Sequence, residues 1–593
     1  MTIEWIHPGA ILILGSLLVP FLKGRLRQGY LLLLPVLAFI SVMTTGEGSY
    51  GVFHILHEEV VFGKVDSLST IFGYVFSIAA FISILYGIKV KESGHHIASF
   101  VYAGSALGVT FAGDFISLFA FWEFMAFSSV FLILYRKTKA SYNAAYRYIL
   151  IHVFGGVCLM GGMKLIFAQT GSIELVNLTL GSLGTWLMLI GILVNCAAIP
   201  FNAWLPDAYP NATISGAVFL SAFTTKSAIY VLIRTFSGTE ILIVIGVVMA
   251  LWGVIYAMLE NDIRRVQAYS IISQVGYMVV GIGIGTHLAI NGVVAHAFAH
   301  ILYKGLLFMA TGSIIYMTGK SKMTELGGLV RYMPKTFILY MFGALAISAF
   351  PLFSGFVSKS VILSAAGEEH LMIPYLLLTV AAAGTFLYTG LKIPYLVFFS
   401  RDRFADGVRE AEAPPTDPPG HMLFAMGIAA AFCVLIGLFP GVLYQFLPYD
   451  MHYAAYTPEH IVWSLELLLF AALGFCIFRR SITAVPSISL DTDWFYRMFG
   501  LGFMCFAKKV VAVVDDTVSN AYKTIVIKFG RGIASSSYSF DSTIVDGVVN
   551  GVARFVVGLS ASLRRIQTGQ LHDYAMGALS GILVLISLII ILN

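Results

Sequence analysis

Apolar stretches long enough to cross a bilayer recur along almost the whole of this 593-residue sequence. No other feature restricts its fold more. A spanning helix needs roughly 17 to 25 mainly apolar residues, and inside lipid every backbone polar group must find its partner within the protein. Segments of this kind are residues 5–22, 29–44, 66–88, 98–112, 114–135, 146–168, 185–203, 213–236, 240–259, 267–285, 289–316, 336–357, 372–399, 421–442, 461–478 and 573–592. They predict an all-α integral membrane protein of about sixteen transmembrane helices. Only 11% of residues are charged, against about 25% in an ordinary soluble chain. The first segment runs into Lys23, Arg25 and Arg27 without a small-residue cleavage site and is expected to be a span, not a removable signal.

The net charge of +5 is small, and its placement is informative. Basic residues gather at Lys23/Arg25/Arg27, Lys89/Lys91, Arg136/Lys137/Lys139, Arg264/Arg265, Lys320/Lys322/Arg331/Lys335, Arg401/Arg403 and Arg479/Arg480. Nearly all follow odd-numbered segments. Cytoplasmic loops are enriched in Lys and Arg, so both termini are expected on the periplasmic or external face of a prokaryotic cell (inner) membrane. No nucleic-acid-binding motif accompanies these basic groups, and nucleic acid is not an expected partner. Cys158, Cys196, Cys433, Cys476 and Cys505 are scattered, without the spacing of an iron–sulfur or zinc site. No cofactor or metal is expected in this chain.

Two prolines fall where a helix should run unbroken: Pro200 in "NCAAIPFNAWLPDAYPN" and Pro351 in "ISAFPLFSGFVSKS". Proline removes a backbone donor and collides with the preceding turn. Each segment is expected to be interrupted, the alternative being two ordinary kinks. Paired interruptions in corresponding halves of a transporter point to a repeat and its site. The organisation read from these features is residues 1–97, N-terminal spans; 98–400, the core; 401–420, a charged proline-rich linker; 421–480, further spans; 481–572, an amphipathic region; and 573–593, a terminal span. In the amphipathic region Val510, Val513, Val514, Val518, Ala521 and Ile525 repeat at helical spacing, as do Ile544, Val548, Val552, Phe555, Val556, Leu559 and Leu563. The intervening "GRGIASSSYS" is expected to break the helix.

A charged side chain at the bilayer centre costs at least about 2.5 kcal/mol, so each needs a partner or a purpose. Glu123, Lys226, Lys304 and Lys392 lie in apolar segments, and Glu123 and Lys226 are expected to pair. His296, His300 and Lys304 recur every four residues in "HAFAHILYKGLLF" and so share one helical face. His titrates near neutrality, and such a row suits a relay of protons through water; the bland reading gives each His a backbone carbonyl. Lys392 is equally consistent with a lysine reaching to the membrane surface. Asp207 is a helix cap or an uptake group, and Asp262, Arg264 and Arg265 are expected at the interface.

At these residues the chain resembles the antiporter-like subunits of respiratory complex I, of Mrp-type cation/proton antiporters and of membrane-bound hydrogenases. The matching stretches are "FWEF", "AAIPFNAWLPDAYP", "TTKSAIYVLIR", "DIRRVQAYSIISQVGYM", "AHAFAHILYKGLLF" and "FPLFSGFVSKSVI". The resemblance implies two inverted five-helix repeats, each with a broken helix, and a hydrated row of charges along the membrane mid-plane. Carried over, the functional glutamate is Glu123, the first-repeat lysine Lys226, the connection His296, His300 and Lys304, and the terminal lysine Lys392. Asn195 and Asn202 stand where the family usually has lysine and histidine. Asparagine holds water by hydrogen bonds but takes up no proton near pH 7. Asn195, Asn202 and Asp207 are therefore a candidate ion or water site. The C-terminal stretch from "IVDGVVNGVARF" onward resembles the lateral helix and final anchor of the distal complex I subunit.

The expected function is proton translocation, with Na+/H+ exchange as a variant, by one subunit of a multisubunit membrane complex. Its expected partners are other antiporter-like membrane subunits, with redox subunits as a further class, besides the lipid bilayer. The alternatives are a non-conducting structural anchor and a quinone-associated subunit.

Overall fold

The computed structural model describes residues 5–55, 58–404, 414–479, 485, 491–565 and 567–592. Residues 405–413 of the charged stretch expected as a linker, and residues 481–484 and 486–490 of the amphipathic region, lie outside the described residues. Among the described residues twelve helices are long and apolar enough to cross a membrane, four fewer than the segments counted from sequence. Residues 5–22 form only the short helix Pro8–Ser16 and one 3-10 turn. The helix Ser93–Phe111 has 19 residues but is diluted by His95, His96, Ser99 and Ser105. The other two, 185–203 and 336–357, are the interrupted segments, whose helices Leu183–Asn195 and Pro334–Ile347 stop short.

The two interruptions share one backbone design. Leu183–Asn195 ends with the Ala198 amide donating to Leu193 O at 3.0 Å, and Pro334–Ile347 with the Phe350 amide donating to Leu345 O at 3.1 Å. Each turn passes through an alanine in the left-handed region, Ala197 at φ 56° and Ala349 at φ 57°. This is the Schellman way of ending a helix, usually built with glycine. The prolines do not themselves cut the helices; Pro200 and Pro351 follow the turn and prevent the helix from resuming at once. Helix returns at Trp204–Asn211 and Ser354–Glu368. Inside a bilayer the carbonyls freed at such ends need protein partners. The Trp204 indole donates to Val194 O at 2.9 Å and the Lys359 ammonium to Ile347 O at 2.9 Å.

Close helix pairs also recur in both halves. Lys139–Thr170 packs on Leu183–Asn195 through Gly155, Gly162, Gly184 and Gly191; a Cβ on Gly191 would lie 2.7 Å from Gly155 O. Ile241–Leu259 packs on Ile263–Ile284 through Gly246, Gly253 and Gly276, where a Cβ on Gly246 would lie 2.5 Å from Gly276 O. Small residues let membrane helices touch backbone to backbone, which is where packing attraction is available when lipid and side chain are equally apolar. Outward-facing Phe124, Phe127 and Phe131 of Phe115–Leu134 remain exposed, as a lipid-facing surface requires.

A two-stranded antiparallel hairpin, Gly48–Ile55 with Glu58–Val65, interrupts the all-α pattern. It was not anticipated because it sits in a connection. Its Val61 amide donates to Asp114 Oδ2 at 2.8 Å, and Asp114 also caps the helix Phe115–Leu134 through the amides of Ile116 and Ser117.

The chain divides into two compact units, Met1–Trp494 and Phe495–Asn593. In the second, helix runs without a break from Phe495 to Arg564, about 100 Å at 1.5 Å per residue. "GRGIASSSYS" lies within the helix Lys528–Phe540, contrary to the expected break: Gly and Ser weaken a helix by about 1 kcal/mol or less each, whereas proline, which the stretch lacks, would stop it. Three wider π turns, Ala507–Val511, Lys523–Ile527 and Asp541–Val545, punctuate this helix. Their origin is legible in the apolar stripe. Val510, Val514, Val518, Ala521, Ile525, Phe529 and Ile533 advance by four residues at every step but one, faster than the 3.6 residues of an α-turn. The first two π turns absorb this surplus and keep the stripe on one face. The final helix is Leu571–Leu592.

Candidate ion pathway

The helix His287–Thr318 carries the central row. His296, His300 and Lys304 are all fully buried at 0% exposure. Lys304 Nζ donates to Gln267 Oε1 at 2.8 Å, which ties the row to Ile263–Ile284. His296 Nδ1 lies 3.1 Å from Ser358 Oγ, and its Nε2 lies 3.4 Å from the Tyr303 hydroxyl. The rings of His296 and His300 are 6.2 Å apart. Among the described residues neither nitrogen of His300 has a partner, and the same holds for Gln267 Nε2, Ser273 Oγ and Gln274 Oε1 on the neighbouring helix. The bland reading, a carbonyl for each histidine, fails for both.

Ser358 leads to a residue that the sequence reading passed over. Lys359, on the helix that resumes after the second break, is 1% exposed, and its ammonium lies 5.0 Å from the centre of the Tyr277 ring. Tyr277 in turn lies beside His296, ring centres 6.3 Å apart. The signal was present in "SGFVSKS": a lysine eight residues beyond Pro351, in a segment otherwise apolar or small.

Lys392 is placed differently. It closes the π-helical stretch Phe386–Lys392, is 2% exposed, and donates to Glu260 O at 3.0 Å and to Met258 O. Those carbonyls end the helix Ile241–Leu259, so Lys392 neutralises a helix C-terminus as cations do. Glu260 itself pairs with Arg265 at 3.2 Å.

In the first half, Lys226 is buried at 0% and donates to Ser221 O at 2.6 Å. Glu123 does not pair with it. The half-buried carboxylate instead lies against Gly156, where a Cβ would come within 2.1 Å of Oε1, and that oxygen has no hydrogen-bond partner. Asn195, the last residue before the first break, is fully buried with both amide atoms unpartnered. Asn202, within the break, is buried against Asp491 and Thr492. Asp207 is neither cap nor free acid: its carboxylate takes two hydrogen bonds from the Arg147 guanidinium, at 2.7 and 2.9 Å. His152 is a second omission. It stacks on Tyr148 at 4.0 Å, meets the indole of Trp204 edge-on at 4.6 Å, and leaves Nε2 unpartnered.

Asp262 caps Ile263–Ile284 through the amides of Arg264 and Arg265. Arg264 is 1% exposed, covered by protein at this end of its helix; its guanidinium binds the carbonyls of Pro210, Ala212 and Thr213 at 3.2 Å each. It thereby pins the end of the Trp204–Asn211 helix beyond the first break.

This succession of buried titratable side chains between interrupted helices has relatives. A family model described as NADH:quinone oxidoreductase/Mrp antiporter, TM, matches residues 112–386. The transmembrane core of this chain is similar to that family. Within the matched antiporter-family core lie Glu123, Lys226, His296, His300, Lys304 and Lys359, while Lys392 falls just outside it. The A1 subunit of a Na(+)/H(+) antiporter of Staphylococcus haemolyticus is 29% identical over 568 residues, covering 83% of this chain and 70% of that protein. The A subunit of a Na(+)/H(+) antiporter of Alkalihalophilus pseudofirmus is 30% identical over 493 residues, covering 72% and 60%. The chain thus spans about two thirds of the length of these antiporter-family relatives. A chain in the structure of the membrane-bound sulfane sulfur reductase, an archaeal respiratory membrane complex, aligns over 98% of this chain and 100% of its own, with a TM-score of 0.69 at 21% identity. That likeness extends the shared fold beyond the core.

Proposed function

We propose that this multi-pass membrane protein is an ion-translocating subunit of a multisubunit complex, conducting protons along the buried row and exchanging them for Na+ in the assembled complex. One observation carries the reading. Lys226, Lys304 and Lys359 are each at most 1% exposed in a membrane bundle, and none has a carboxylate partner among the described residues. A structural ammonium at that depth would be expected to have an anionic partner, because an uncompensated charge there is costly. Here the partners are two carbonyls and one amide oxygen, which leave the ammonium free to give up its proton. His296 and His300 supply titratable groups between them, and the unpartnered atoms of His300, Gln267, Ser273 and Gln274 suit a path carried by water.

The basic loops support an orientation with Arg136, Arg264 and Arg479 at the cytoplasmic face of a prokaryotic inner membrane. Other antiporter-like membrane subunits are the proposed partners, together with redox subunits where the complex is driven by electron transfer. This chain's part is conduction, with no cofactor or metal of its own. Copurification from native membranes followed by mass spectrometry identifies the partners. The functional test is proton movement into proteoliposomes holding the assembled complex, with and without a Na+ gradient. Lys304→Ala should abolish it while leaving the complex intact; a variant that assembles and transports as the parent does would refute conduction along this row.

A further inference from the structure

A buried carboxylate outside the row described above sits at the first break. Asp491 is 6% exposed and comes from the stretch that follows the helix Pro458–Phe478. Its Oδ2 accepts from the Tyr269 hydroxyl at 2.6 Å, and both of its oxygens lie 3.3 Å from Asn202 Nδ2. Tyr269 is seven residues beyond the cap Asp262, about 10 Å along the helix. Asp491 therefore lies well inside the bundle, beside the first break. Irregular backbone at that depth is tolerated where it is enclosed in protein or lines a polar cavity.

The contacts hold the carboxyl group in place with neutral donors. The Thr492 amide donates to Asp491 Oδ1 at 2.6 Å, and the Thr492 hydroxyl donates to Asn202 Oδ1 at 2.9 Å. That second bond turns the NH2 of Asn202 toward the carboxylate. All three donors to Asp491 are neutral, and no cationic side chain among the described residues lies within ion-pair distance of it. The charged groups nearby belong to the Tyr269 helix and the turn before it: Arg265, paired with Glu260 at 3.2 Å, and Asp262, which is engaged as a cap. The break itself offers Asn195 and Asn202, which do not titrate near neutrality. Asp491 is thus the acidic group of this contact set.

We propose that Asp491 is the proton-exchanging group of the first break, taking protons from the Arg264/Arg265 face and handing them on beside Asn202. Uptake converts the carboxylate to a carboxyl with one new O–H bond, and release regenerates the carboxylate. The Tyr269 hydroxyl and the Asn202 amide serve either form, since a hydroxyl both donates and accepts. This assignment rests on the conducting role proposed above.

The test uses the assembled complex in proteoliposomes and compares Asp491→Asn, Asp491→Glu, Tyr269→Phe and Lys226→Ala. Asp491→Asn should lower transport at least about tenfold, the effect of ~1.4 kcal/mol on a barrier. Asp491→Glu should restore most of the rate with a displaced pH profile. Tyr269→Phe should displace the profile, because it removes one of the three donors that hold the carboxyl group. Asp491→Asn with the parental rate and profile, beside an inactive Lys226→Ala, overturns the assignment alone. Equal losses in Asp491→Asn and Asp491→Glu with an unmoved profile make Asp491 a tether and overturn it too. If Asp491→Asn fails to assemble, the Tyr269→Phe profile decides, and an unmoved profile overturns the assignment. Parental transport in Lys226→Ala refutes the conducting role itself.

Discussion

Lys359 holds its ammonium 5.0 Å from the centre of the Tyr277 ring while donating to Ile347 O, so one side chain closes the second break and faces His296 across an aromatic wall. A desolvated cation–π contact is worth about 2 kcal/mol. Lys359→Ala should therefore reduce proton transport at least about tenfold and lower the melting temperature of the complex, because the Ile347 carbonyl loses its donor. Tyr277→Phe keeps the ring and should retain most of the transport; Tyr277→Leu should not. Equal rates for Phe and Leu at position 277 would show that the ring face has no part in positioning the lysine.

Glu123 depends on the absence of a side chain opposite it. A Cβ on Gly156 would come within 2.1 Å of the carboxylate oxygen, so Gly156→Ala must push Glu123 from its place. The expected result is an assembled complex whose transport falls toward that of Glu123→Gln. Parental transport in Gly156→Ala, measured as proton uptake, would mean that the carboxylate works equally well elsewhere.

Ala197 and Ala349 occupy left-handed backbone at φ 56° and 57°, which costs an L-residue ~1 kcal/mol or more. Replacing either by glycine should raise the thermal stability of the complex by up to about 1 kcal/mol, and valine at either position should lower it. Transport need not follow stability. An Ala349→Gly variant that is more stable but slower would indicate that a stiff turn serves the break better than a relaxed one.

Acid should loosen the outer end of the bundle at one identifiable pair. Asp66 caps Ser67–Tyr86 and bonds the Arg234 guanidinium at 2.5 Å. Burial opposes its charge, but Arg234 together with the amide and hydroxyl of Ser69 holds the carboxyl below its ordinary value. A depressed carboxyl stabilises the folded state fully above its unfolded-state value, and that contribution is lost as pH falls through the folded-state value. The melting temperature of the parent should thus fall more steeply than that of Asp66→Asn on acidification below about pH 4. Parallel curves would show that the pair contributes nothing measurable.

Most of the spans were legible in the sequence because apolar length is a local property, and twelve of the expected segments became long apolar helices. The row His296, His300, Lys304 was legible for the same reason: four-residue spacing puts side chains on one face wherever a helix forms. What escaped was relational. Lys359 looked like a residue near a proline and proved to face His296. Lys392 reads from sequence either as the terminal lysine of the row or as a lysine reaching the membrane surface, and its contact with the end of Ile241–Leu259 is visible only in the fold. Asp491 is separated from Asn202 by 289 residues of sequence, and no periodicity could have joined them. The Glu123–Lys226 pairing failed because opposite charge in one apolar region does not imply contact, and a glycine at 156 had reserved the space.

The three π turns of the long C-terminal helix make its sequence unequally forgiving. Each is one residue more than an α-helix of the same span would hold, so deleting a single residue at 507–511, 523–527 or 541–545 lets the ladder close as ordinary helix and leaves every residue beyond facing as before. The same deletion a few positions away swings the rest of the helix by about 100° and carries the valines and isoleucines off their line. Length variants of this helix that keep its downstream faces aligned should accordingly lose or gain residues at those three turns, which act as the expansion joints of an otherwise rigid rod.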